Sequence, residues 1–221
     1  MDGSQKRYAD TFISRSADTA HDLKTPLNIA VLNLELLRMR ARKLKRGEED
    51  PKLAAYAAAI EGELRRLGRI FDAFFTYAVP PKGAPAPEQV DIEQVLHEVA
   101  AQFELELDEA PSASCWGTPA RIRELLKHFL DGGTRMLDRS RAVLIRRAEP
   151  GRYNLELRGP VVNSEVEVEK LFKFYFTNSE GAADLSLATA RLIAETCGGE
   201  ITAHRQGDEL LLELSLPLGE E

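Results

Sequence analysis

The chain has 221 residues, 43% of them hydrophobic and 29% charged, which are the proportions of a soluble globular protein large enough for one large domain or two small ones. A net charge of −7 argues against a nucleic-acid backbone or an anionic membrane as the main partner. No apolar run approaches the ~20 residues of a membrane span, and no secretory apolar region follows Met1. The expected location is therefore the cytoplasm, where Cys115 and Cys197, which make no metal-ligand spacing, read as reduced, buried thiols.

Apolar residues at Ala20, Leu23, Leu27, Ala30, Leu34, Leu37, Ala41 and Leu44 alternate in steps of three and four, the seam of a heptad helix. A second stripe, Ile29, Leu32, Leu36 and Met39, lies on another side of it. Gly47 and Pro51 interrupt the pattern. It resumes at Leu53, Ala57, Ile60, Leu64, Leu67, Phe71 and Phe74. The first 78 residues thus predict a helical hairpin. Two helices cannot cover two stripes, so a dimer forming a four-helix bundle is the economical arrangement. The proline-rich stretch 79–89 reads as a linker.

Beyond it, residues 91–106 and 119–137 predict helices, with Ile92, Leu96, Val99 and Phe103 on one face of the first. Strands follow at 141–148 and 153–159, turning through Glu149-Pro150-Gly151. A helix over 183–196 ends at Gly198-Gly199, and a hairpin turns at Gly207-Asp208. This half is expected to be α+β with a mixed or antiparallel sheet. The basic residues of 139–147 flank an apolar strand, as on a sheet edge guarded by charge. His97 and His204 read as solvated, and Trp116 as core or edge packing.

The chemistry concentrates in "HDLKTPLN", residues 21–28. His21 falls one step off the seam, toward solvent, and Thr25 shares its face one turn on. Asp22 can reach the imidazole edge, fix its tautomer and accept its proton while the other nitrogen attacks an electrophile. Pro26 removes a hydrogen bond to the carbonyl of Asp22, at a cost of roughly 3 kcal/mol in an ordinary helix interior, so its place beside a surface histidine is not casual.

Those eight residues resemble the phospho-acceptor box of bacterial sensor histidine kinases, in which histidine is followed by an acid, leucine, a base, threonine or serine, proline and leucine. The resemblance implies that His21 carries the phosphoryl group, that Asp22 is its general base, and that Thr25 serves dephosphorylation of a partner receiver domain. It further implies that a receiver docks along Lys24, Asn28 and Leu32. The expected division is a dimerisation and histidine-phosphotransfer hairpin at 1–79, a linker at 80–90 and an ATPase-like α/β sandwich at 91–221. The fold class is accordingly α plus α+β.

The second half is similar to the kinase ATP-binding domain in its apolar pattern, at Ile122, Leu125, Leu126, Phe172, Phe174, Phe176, Leu185, Leu187 and Ile193. It departs from that family where ATP is handled. The family's two magnesium-helix asparagines fall on His128 and Gly132, which offer magnesium no hard oxygen ligand. The adenine-binding aspartate falls on Leu157 and a following glycine on Val161. The glycine-rich phosphate box becomes Ala182-Ala183-Asp184-Leu185-Ser186-Leu187, and Asp184 is expected to point its carboxylate at the triphosphate position. Neither a cofactor nor a metal is expected. Three readings follow: a histidine phosphotransfer protein fed by response-regulator receivers; an ATP-dependent sensor kinase with an atypical site; or a receiver-binding phosphatase or scaffold.

Overall fold

The computed structural model describes residues 3–43, 50–79, 86–105, 107, 112–164, 166–174, 176 and 184–219. Helix α1 (Gly3–Ala41) is 39 residues long and carries Pro26 in its interior without ending there. It starts well before the heptad pattern does. Leu44 and residues 45–49 of the expected break lie outside the described residues, as do 80–85 of the expected linker. Helix α2 (Pro51–Ala78) begins on Asp50, whose carboxylate accepts the Lys52 N–H at 3.0 Å, with proline at the first helical position. Asp50 also pairs with Arg40 at 2.6 Å, tying the end of α1 to the start of α2.

The inward face of this hairpin differs from the regular seam. Thr11, Thr19, Asp22, Pro26 and Ala30 are buried on α1, and Arg66, Ile70, Phe74 and Ala78 on α2. Leu23 and Leu37 are half-buried, but Leu27 and Leu34 are 48% and 37% exposed, and Leu64 and Phe71 are 53% and 45% exposed. Alternate members of the seam therefore turn outward. The lower hairpin spends its inner face on the rest of the chain: Ile70, Phe74 and Ala78 pack with Phe174, Ala188 and Leu192, and Phe12 lies against Phe74 with ring centres 5.4 Å apart.

The second half opens with β1 (Glu88–Asp91), antiparallel to β2 (Ser114–Gly117). This two-stranded sheet was not foreseen, because β1 occupies the end of the expected linker. Asp91 caps α3 (Ile92–Ala100) by accepting the N–H groups of Glu93 and Gln94. The helix is shorter than expected: a 3-10 turn at Ala101–Phe103 leads to Glu104 at φ 59°. Then come α4 (Pro119–Met136), β3 (Val143–Glu149), β4 (Arg152–Pro160), α5 (Ser186–Thr196), β5 (Glu200–Gln206) and β6 (Glu209–Pro217).

The four-stranded sheet is antiparallel throughout, in the order β3-β4-β6-β5. Glycines at positive φ make both hairpin turns, Gly151 at 78° and Gly207 at 61°. Period-two alternation turns Tyr153, Leu155 and Leu157 of β4 and Leu210, Leu212, Leu214 and Leu216 of β6 onto one face. That face packs on Ile122, Leu125, Leu126, Phe129 and Leu130 of α4 and on α3 and α5. One buried polar cluster crosses this core: Tyr153 donates to Glu93 at 2.8 Å, and Arg146 pairs with the same carboxylate at 2.6 Å. Cys115 and Cys197 are free and buried, and burial pushes the Cys115 thiol up to about 12. Trp116 is 45% exposed on β2, and β3 is an outer strand.

Candidate phosphotransfer site

The side chain of His21 is 74% exposed near the middle of α1, with Nδ1 3.8 Å from Oδ1 of Asp22. Asp22 is 2% exposed. Its Oδ2 accepts the backbone N–H of Phe174 at 3.0 Å, while Oδ1 has no hydrogen-bond partner. Burial raises the Asp22 carboxyl above its ordinary range, against the pull of the Phe174 N–H and the charge of Lys173. A buried carboxylate with one free oxygen beside an exposed imidazole is equipped to take the Nδ1 proton as the other ring nitrogen attacks an electrophile.

Thr25, Asn28 and Leu32 follow His21 at helical spacings of four, three and four, and all are exposed, as is Lys24 beside them. The helix thus presents one continuous surface stripe below the histidine. Sequence reasoning missed what joins the hairpin to the second half. Arg15 makes a two-armed pair with Glu195 of α5, one arm being Nε to Oε2 at 2.8 Å. The carbonyl of Phe174 accepts a long hydrogen bond from Arg66 of α2 at 3.4 Å. Arg121 of α4 lies over the rings of Tyr8 and Tyr77, 4.9 and 5.5 Å from their centres. It donates to the carbonyls of Thr76 and Tyr77 and to the hydroxyl of Thr196. Backbone donors leave no mark in a sequence, and Arg15 and Glu195 stand 180 positions apart.

The region expected to differ from an ATP site is closely packed. A Cβ added to Gly132 would lie 2.7 Å from Cγ of Leu187 and 3.1 Å from its backbone nitrogen. One added to Gly133 would run into Leu157, whose side chain is fully buried, and would lie 3.1 Å from Leu212. His128 is half-buried, set edge-on to Tyr77 and 3.7 Å from Glu124, and burial lowers its pKa.

Asp184 corrects the expectation of a carboxylate aimed at a triphosphate. It is buried, accepts the Ser186 N–H at 2.9 Å at the start of α5, and pairs with Arg135 at 3.4 Å. Arg135 also holds Asp131 at 2.8 Å, and Asp131 accepts the Ser186 hydroxyl at 2.8 Å. Ala182 and Ala183 lie outside the described residues. Leu157 and Leu187 offer no polar ligand, and the Asp184 carboxylate is already paired inside the protein. Among the described residues no cluster of three or more His, Cys, Asp or Glu is arranged to hold a metal ion.

Residues 15–79 match the His Kinase A (phospho-acceptor) domain. The chain is 25% identical over 91% of its length to the signal transduction histidine-protein kinase BaeS of Escherichia coli (strain K12), of which it spans 46%, about half. Its fold is similar to that of the Acinetobacter baumannii histidine kinase AdeS, with a TM-score of 0.52 at 19% identity over 90% of this chain and 98% of that one. It is also similar to full-length ShkA, solved in complex with AMPPNP, with a TM-score of 0.52 at 18% identity over 89% of this chain and 46% of that one. Residues 15–79 therefore carry a His Kinase A hairpin, and the antiparallel-sheet domain that follows has a fold similar to that of histidine-kinase catalytic domains.

Proposed function

We propose that this chain is a histidine phosphotransfer protein of a phosphorelay, loaded by a response-regulator receiver domain rather than by ATP. The observation that carries the reading is a contrast within one chain. His21 is open to solvent with the buried carboxylate of Asp22 beside it, while the positions at which the resembled family handles nucleotide carry the buried Leu157 and the internally paired Asp184. In the forward step Nε2 of His21 forms the N–P bond as the P–O bond to the receiver aspartate breaks. The electron pair returns to that aspartate, and the Nδ1 proton passes to Asp22. Delivery to a second receiver reverses the sequence. Lys24, Thr25, Asn28 and Leu32 are the proposed receiver contacts.

The working form is a cytoplasmic homodimer divided at the linker 80–90. The outward apolar members of the seam, Leu27, Leu34, Leu64 and Phe71, support the dimer. No helix among the described residues is long and apolar enough to cross a membrane. A second reading, dephosphorylation of the receiver, draws on Thr25, exposed one turn beyond His21.

The test is incubation with receiver domains phosphorylated by acetyl phosphate. Acid-labile phosphate is expected on the wild type and none on His21→Ala. Loss of receiver phosphate with none retained at His21 supports the phosphatase reading. Labelling of His21 from purified Mg-ATP overturns the relay in favour of an atypical kinase.

A further inference from the structure

We propose that the second domain completes the phosphotransfer site, its Phe174 backbone N–H acting as the positioning group that turns the free oxygen of Asp22 toward His21. The inference rests on the relay reading and gives the second domain a chemical task in it.

Phe174 bridges the hairpin. Its N–H is donated to Asp22 of α1 at 3.0 Å, and its carbonyl accepts from Arg66 of α2 at 3.4 Å. Its ring is buried among Ile70, Phe74, Ala78, Ala188 and Leu192. The Arg15–Glu195 pair fastens the same two bodies two helical turns earlier on α1. With Oδ2 committed to Phe174, Oδ1 remains as the oxygen 3.8 Å from Nδ1 of His21. A buried carboxylate oxygen without a partner is costly and calls for an explanation. Here it is the acceptor held in reserve for the imidazole proton, 3.8 Å from Nδ1 and so one small side-chain adjustment short of a hydrogen bond. Asp22 alone, on an exposed helix, would sample other rotamers and hydrogen-bond to water. The docked domain removes both freedoms. Under the relay reading, a domain that lacks the family's nucleotide-handling side chains keeps this purpose.

The experiment replaces the Phe174 amide by an ester, with phenyllactic acid encoded at that position, which deletes the N–H and keeps the ring. The first readout is the rate at which acetyl-phosphate-loaded receiver domains label His21, with kcat and KM separated. The second is the 15N NMR signature of the His21 tautomers in the unphosphorylated protein. The expected result is a roughly tenfold fall in kcat, an unchanged KM, and a smaller share of the Nδ1–H tautomer. Arg15→Ala, which loosens the docking without touching Phe174, is expected to move both readouts the same way. In an Asp22→Asn background the ester is expected to add no further loss.

Faster transfer in the ester protein overturns the proposal and makes the docked domain a restraint. An unchanged rate overturns it, and so does a slower rate with unmoved tautomers, which marks mere loosening of the fold. If the wild type takes no phosphate from any receiver, the relay fails. The tautomer shift still decides separately whether Phe174 governs Asp22.

Discussion

The surroundings of His21 and those of Gly132 have opposite physical characters. Around His21 the side chains that bear chemistry stand in solvent, and one buried carboxylate faces them with an oxygen to spare. Around Gly132 and Gly133 the glycines let α4 approach α5 and the sheet until Leu157 and Leu187 fill the space. Each polar group described there is already answered from inside the protein: Asp184 by Ser186 and Arg135, and Asp131 by Ser186 and Arg135. A phosphate arriving at this second region would have to displace carboxylates that already hold the donors. One arriving at the first displaces only water.

The largest expected effect comes from forcing the closed region open. Leu157→Asp places an unpaired carboxylate in a fully buried position and is expected to cost about 3–5 kcal/mol in urea melts. Thr25→Ala, on the open surface, should stay within about 0.5 kcal/mol. A Leu157→Asp protein of wild-type stability that binds Mg-ATP in a calorimeter would dissolve the contrast between the regions.

Next in size is the outward seam. Phe71→Glu puts a charge into the proposed dimer face and is expected to raise the dimer dissociation constant at least about tenfold by sedimentation. The folded secondary structure should be unaffected, since Phe71 is exposed in the single chain.

The smallest effect tests the buried acid. Burial raises the folded-state pKa of Asp22, so between the unfolded and folded values the native state binds more protons than the unfolded state. Its contribution is therefore unfavourable at neutral pH and fades as pH falls below the ordinary carboxylate range. Asp22→Asn keeps an acceptor for Phe174 and is expected to gain under about 1 kcal/mol at pH 7. That gain should shrink in acid, as melts across pH would show.

Much of this was legible in the residues. Alternation in β4 and β6 and the periodicity of α4 follow from which face is buried, and a phospho-acceptor box is a local pattern. The heptad seam was visible too, but its partition was not. Whether Leu27 faces inward or outward depends on the second domain covering the lower hairpin, which no spacing encodes. The strand β1 escaped notice because four residues adjoining a proline-rich stretch carry almost no periodic signal. Asp184 was located correctly but aimed wrongly, since the direction of a carboxylate depends on Arg135 and on the start of α5. The hold on Asp22 was invisible for a further reason: its donor is main chain, and the identity of Phe174 says nothing about its N–H.

Arg121 carries a consequence for motion. The final carbonyls of a helix lack partners within it, and at α2 those of Thr76 and Tyr77 are capped by a guanidinium that belongs to α4. The last turn of the hairpin is thus finished by the neighbouring domain. Swinging that domain away uncaps the helix, so separation and fraying at Tyr77 become a single event. The joint between the halves is stiffest while they are together and softens as they part.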